Sequence, residues 1–289
     1  MPEFVLSAFA DEISKDLKTQ MDVLEQNDVQ YIEMRGVNGK SLVKHSLEEV
    51  KEIKRQIDER GFKISAVGSP IGKIDIREEF GPHLDLFRHT MEIGGILETK
   101  YIRMFSFFIP EGEDPAKYRD EVMERWSMFI RAAEGRGFVL LHENEKDIYG
   151  DTPERCLDLL RTMKCSYMKA VFDPANFIQR DVETYPKAFE MLNEYIAYMH
   201  IKDARYSDHV VVPSGYGDGR VKEILSALYE RGFEGFLSLE PHLKAFEGFE
   251  TLERSLMKNV TTTGDGAGKF VVALNALRKI LDEIEGKGK

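Results

Sequence analysis

The chain has 289 residues, 42% of them hydrophobic, which is enough to bury one large core, and its formal net charge is −11. That charge argues against nucleic acid as a partner, because affinity for a phosphate backbone is carried by Lys and Arg. Two cysteines, Cys156 and Cys165, are too few for a disulfide framework or a zinc ribbon and suit a reducing cytoplasm. The opening MPEFVLSAFADEIS lacks the basic flank and the length of a signal peptide, and no run approaches the roughly 20 apolar residues of a membrane span, so no membrane partner is expected.

Eight short β-rich runs follow in chain order: FVLSAF (4–9), VQYIEMR (29–35), FKISAVG (62–68), YIRMFSFF (101–108), FVLLHE (138–143), MKAVFD (168–173), IAYMHIKD (196–203) and FLSLEP (236–241). Between them lie segments with helical spacing. In SLEEVKEIKRQIDERG (46–61) the residues Leu47, Val50, Ile53 and Ile57 form one apolar stripe and Gly61 supplies a stop. The segment DTPE (151–154) starts another helix, with Asp151 or Thr152 as cap and Pro153 in the first turn. A last helix is expected from about Gly268 to Glu285. GDGAGKF (264–270) is read as a flexible connection into it, because its glycines are too close for a phosphate loop and Phe270 replaces the required hydroxyl.

Eight strand-plus-helix units spaced by roughly 25 to 40 residues predict an α/β fold of the closed (β/α)₈ type, a TIM barrel, forming a single domain over 1–289. An open doubly wound sheet is disfavoured because AFADEIS, after the first strand, has no dinucleotide fingerprint.

In such barrels the chemistry sits where strands end. The fifth run ends in Glu143, the sixth in Asp173, the seventh in His200 and the eighth in Glu240. Side chains alternate along a strand, so Glu143 shares the barrel-facing phase with Val139 and Leu141, whereas His142 faces the helices. Three carboxylates held together in a dry barrel would repel one another unless a cation sat between them. Three oxygen ligands and one imidazole suit Mn²⁺, Mg²⁺, Co²⁺ or Zn²⁺.

The order Glu, Asp, His, Glu, in the contexts HENE, FDPAN, HIKD and LSLEPH, resembles the xylose-isomerase-like TIM-barrel superfamily of sugar and sugar phosphate isomerases and epimerases. The resemblance implies that Glu143, Asp173, His200 and Glu240 ligate one divalent metal and that Glu143 and Glu240 are catalytic, exchanging protons with substrate. The expected function is metal-dependent isomerisation or epimerisation of a small carbohydrate through a metal-bound enediolate. A lyase or dehydratase acting on a keto-polyol or 3-keto glycoside is the alternative. Phosphodiester hydrolysis as in endonuclease IV is disfavoured, because strands two to four end without histidine. The family pattern is broken at Asn176, where ketose 3-epimerases tend to carry a substrate-binding His.

Substrate contacts are expected from Lys202, which shares the phase of His200, and from Asn176, Lys146, Arg35, Arg103 and His242. Glu33, in phase with Arg35, is either a partner of a metal ligand or an internal ion pair with Arg35. Phe105, Phe107 and Phe108 offer an apolar wall or core packing, and PSGYGDGR (213–220) is placed to cover the site. The resemblance also leaves room for a homo-oligomer.

Overall fold

Period-two apolar runs separated by capped amphipathic helices close here into a ring. The computed structural model describes residues 3–243 and 266–286. The strands are β1 (Glu3–Ala8), β2 (Tyr31–Met34), β3 (Lys63–Gly68), β4 (Tyr101–Met104), β5 (Val139–Glu143), β6 (Met168–Phe172), β7 (Ile196–Ile201) and β8 (Glu234–Leu239). All pair in parallel, and β8 returns to β1 with Ser7 opposite Ser238, so the barrel has no open edge.

The helices form where sequence supplies both a start and an apolar face. Helix α2 (Leu47–Glu59) opens on Ser46, whose hydroxyl accepts from the Glu49 amide while Glu49 reaches back to the Ser46 amide, a reciprocal cap worth about 1 kcal/mol. Val50, Ile53 and Ile57 are its buried face, and Gly61 takes a positive φ that ends it. For α5 (Pro153–Met163) the cap is Thr152, not Asp151.

Two departures from the sequence-based expectation stand out. β4 stops at Met104, because the Phe105 and Phe107 amides turn to donate to Ile71 O and Gly72 O in the loop after β3. Gly72 has φ +89° and a Cβ there would meet the Phe105 carbonyl, so only glycine allows that approach. The last helix starts at Gly266 rather than Gly268 and ends at Ile284. Residues 266–270 are therefore helical, not a flexible connection, and Gly266 lies against the Glu12 and Ile13 carbonyls where a side chain would clash. Residues 264 and 265 lie outside the described residues.

Inside the barrel the side chains stack in layers. Tyr31, Tyr101 and Phe236 pack at the lower end with ring centroids 5.0 to 6.2 Å apart. Above them lie Ala66, Leu141, Val171 and Tyr198, with Ser7 and Ser65 hydrogen-bonded at 2.6 Å. The ionisable groups occupy the uppermost layer. No helix among the described residues is long and apolar enough to cross a membrane.

Candidate metal centre

Strand alternation delivers the four expected residues to one point. Glu143 ends β5, Asp173 follows β6, His200 lies in β7 and Glu240 follows β8; all four are buried, and one ligand atom from each lies within 4.8 Å of the others. His200 Nδ1 is 3.0 Å from Glu143 Oε1 and 3.9 Å from both Asp173 Oδ2 and Glu240 Oε2. His142, in the opposite phase, is 3.0 Å from Ser106 Oγ and packs edge-on to Trp126 in α4 (Arg119–Ala133), outside the barrel.

The charges around this point do not balance. Among the described residues, Asp11, Glu12, Glu33, Glu143, Glu145, Asp173 and Glu240 are joined by ion pairs to four Lys and Arg side chains, Arg35, Lys73, Arg103 and Lys202, with the His200 and His242 imidazoles as their further partners. Asp173 Oδ2 makes no hydrogen bond although the residue is fully buried; Lys202 Nζ comes within 2.9 Å of it without hydrogen-bond alignment. Burial pushes the Asp173 carboxyl up to about 7, the nearby Lys202 charge opposing this and the Glu143 and Glu240 charges adding to it. Burial acts upward on Glu143 too, but the His200 and Arg103 charges and the His200 hydrogen bond outweigh it and hold that carboxyl at about 2. An excess of buried negative charge, an orphaned carboxylate oxygen and an O₃N donor set fit a divalent cation held by these four side chains.

A cavity of about 200 Å³ opens onto the centre, lined by Arg35, Ser69, Lys73, Arg103, Glu143 and Glu145 together with Lys202, Glu240 and His242. Lys202 lies 2.8 Å from Glu240 Oε2, Arg35 Nη1 donates to Glu240 Oε1 at 2.9 Å, and His242 Nε2 is 3.0 Å from the same oxygen. Arg103 Nε faces Glu143 Oε2 at 3.4 Å. These four expected substrate contacts thus reach the cavity.

Two do not. Asp173 caps the short helix Pro174–Ile178, accepting from the Asn176 amide at 2.9 Å, and this turn swings the Asn176 side chain beneath β5. There its Nδ2 donates to Glu143 Oε1 at 3.1 Å and to Asn144 O at 2.9 Å, so it holds a ligand instead of lining the cavity. Lys146 lies beyond the end of β5, where alternation no longer applies, and its side chain is exposed. Nor does the 213–220 loop cover the site: the amides of Gly215, Gly217 and Gly219 donate to the buried Asp203 carboxylate, which draws the loop toward the last helix. Phe105 and Phe107 are core residues.

Other contributors carried no strand signal. Lys73, on the loop after β3, pairs with Glu145 at 2.9 Å at the cavity wall. Asp11 and Glu12 come from a 3-10 turn after β1 and hold Arg35. The buried Phe9 stands edge-on to His200 at 5.0 Å with Arg35 4.7 Å over its ring.

A closed parallel barrel with a carboxylate-rich, metal-competent centre at the C-terminal ends of its strands is thereby defined. The family model described as xylose isomerase-like TIM barrel matches residues 21–257, and the chain belongs to that family. Among solved structures it is similar to a D-tagatose 3-epimerase-like protein, with 18% identity and a TM-score of 0.74 over 100% of both chains. It is similar also to the IOLI protein with a bound zinc atom, at 18% identity and TM-score 0.73 over 98% of this chain and 99% of that one. A third is the probable 3-DHS dehydratase AsbF, involved in petrobactin synthesis, from Bacillus anthracis, at 15% and 0.71 over 96% and 99%. At these identities the likeness is one of fold. No curated protein matches the sequence.

Proposed function

We propose that this protein is a divalent-metal-dependent isomerase or epimerase of a small sugar, keto-sugar or sugar phosphate. The observation that carries the reading is that Glu143 and Glu240, from β5 and the end of β8, belong to one four-residue metal-competent group and also line one cavity. A divalent ion held by Glu143, Asp173, His200 and Glu240 would supply Lewis acidity toward a substrate carbonyl and its neighbouring hydroxyl.

The chain's own groups do the proton work. One glutamate takes the proton from the carbon beside the carbonyl, and the C–H electron pair moves into the carbonyl group. The other, which has to enter the cycle protonated, gives its proton to the same carbon from the opposite face, so the carbon inverts and the two glutamates exchange protonation states. Asn176 and Arg103 hold the Glu143 carboxylate from below and beside, while Arg35 and His242 hold Glu240. Lys202, buried and charged between Asp173 and Glu240, is placed to donate to a substrate oxygen.

The same ammonium favours a second reading. A substrate with a leaving group β to the carbonyl would lose it as Lys202 protonates the departing oxygen, giving dehydration or deglycosylation; a dehydratase shares this fold. Incubating metal-loaded protein in D₂O with ketoses, their phosphates, inososes and 3-keto glycosides separates the outcomes. A deuterated epimer or isomer is expected; an unsaturated ketone or freed aglycone selects the lyase. Ligand binding without any exchange or elimination would overturn both.

A further inference from the structure

Beneath the four metal-competent residues lies a fifth ionisable group with no access to the cavity. Glu33 is fully buried in β2, between the centre and the aromatic floor. Its Oε1 and Oε2 lie 3.3 and 3.2 Å from His200 Nε2, the ring nitrogen that faces away from the three carboxylates. Of the two partners the sequence allowed, Arg35 is taken by Asp11, Glu12 and Glu240 and does not pair with Glu33. Alternation from Tyr31 aims Glu33 at the barrel axis, and a register shift in the pairing with β3 sets it opposite Ala66. Arg103 stands 3.9 Å away, and Tyr198, tied to Ser65 at 2.9 Å, lies on the adjoining side.

An imidazole ligates only through a nitrogen that carries a lone pair, and the proton must then sit on the other nitrogen, with an acceptor to hold it there. We infer that Glu33 is the positioning residue of the centre: its carboxylate accepts the Nε2 proton of His200, turns the ring, and presents Nδ1 as the ligand atom toward Glu143, Asp173 and Glu240. This rests on the metal reading above. Glu33 itself lines no part of the cavity and reaches the metal-competent group through His200. A carboxylate kept solely to neutralise Arg103 would have no need to approach the imidazole nitrogen more closely than the guanidinium.

The test is zinc titration of metal-stripped wild-type protein, Glu33→Gln and Glu33→Leu, by calorimetry against a competing chelator at a temperature where all are folded. Zinc-loaded, ¹⁵N-histidine-labelled samples then report which ring nitrogen is bound. The expected result is affinity weakened about tenfold in E33Q and about 100-fold in E33L, with the wild type ligating through Nδ1 and carrying its proton on Nε2. Weakening by less than threefold in both variants, or wild-type ligation through Nε2, overturns the inference. A fall in the metal-free melting temperature at unchanged affinity, as a purely structural role predicts, also overturns it. Should E33L fail to fold, the near-isosteric E33Q decides. If wild-type protein takes up no zinc, the metal reading itself fails and takes this inference with it, whereas tight wild-type binding with an unaffected E33Q sinks the inference alone.

Discussion

The two ends of the barrel carry cavities of opposite character. At the N-terminal ends of the strands lies the more spacious one, about 560 Å³, floored by Tyr31, Tyr101 and Phe236. Its rim is charged, but Lys54 there is matched by Asp58 and Glu98 at 2.6 and 2.9 Å, and Lys63 and Lys100 lie over tyrosine rings. At the C-terminal ends the cavity is about 200 Å³, and behind it stand three buried carboxylates, one of which, Asp173, keeps an oxygen with no hydrogen bond. Volume therefore does not locate chemistry here. What separates the ends is whether ionisable groups are buried together, because only burial makes charge costly enough to hold an ion or to shift a proton.

The sharpest way to break this comparison is to remove, at the upper end, one of the oxygens proposed to handle the substrate proton. Glu143→Gln and Glu240→Gln should each slow substrate C–H exchange about 10³-fold, a loss typical of a missing general base. Exchange followed by NMR in D₂O is the measurement. If both variants keep wild-type exchange, the upper end is not where the reaction occurs.

Metal supply should distinguish the ends next. A ligand present at a hundred times its Kd stabilises the folded state by about 2.7 kcal/mol, which for a chain of this size raises Tm by roughly 4 to 5 °C. Thermal melts with zinc and with chelator should show that gap in the wild type and not in a variant lacking Asp173 and His200. An equal shift in that variant would place the ion elsewhere.

Proton competition gives a smaller, graded effect. In the metal-free protein burial raises the Asp173 carboxyl to about 7; His200 is lowered by burial, yet the Glu143 and Glu33 charges carry it well above its ordinary value. Both must be deprotonated to ligate, so metal affinity falls as pH drops. Each group adds about tenfold, or 1.4 kcal/mol, per pH unit below its own pKa. Zinc titrations between pH 6 and 8 in buffers of different ionisation enthalpy should record proton release on binding. Affinity independent of pH over that range would contradict the arrangement.

How much of this was legible beforehand follows from where each residue sits. Glu143, Asp173, His200 and Glu240 end strands, where a two-residue period and the barrel's polarity suffice to bring them together. The readings that changed concern backbone that leaves the strand. Asn176 is set by a capping turn, Lys146 by the chain beyond β5, and the 213–220 loop by a single buried carboxylate, Asp203. Glu33 was visible as barrel-facing, with a metal ligand and Arg35 as its two candidate partners; that Asp11, Glu12 and Glu240 take Arg35, leaving Glu33 to His200, has no signature in one sequence. Lys73 reaches the site on a loop whose path depends on contacts made far along the chain, at Phe105 and Phe107.

The last way to sharpen the comparison is to perturb the lower end and find almost nothing. Lys63 is exposed, and Tyr101→Phe keeps the ring that packs 5.9 Å from Tyr198 and 6.2 Å from Phe236. Surface and ring-conserving changes of this kind cost within about 0.5 kcal/mol. Lys63→Ala and Tyr101→Phe should therefore leave the denaturation midpoint, zinc affinity and C–H exchange at wild-type values. A tenfold loss of exchange in either variant, with zinc affinity intact, would mean that the aromatic cavity takes part in turnover and that the two ends are not independent.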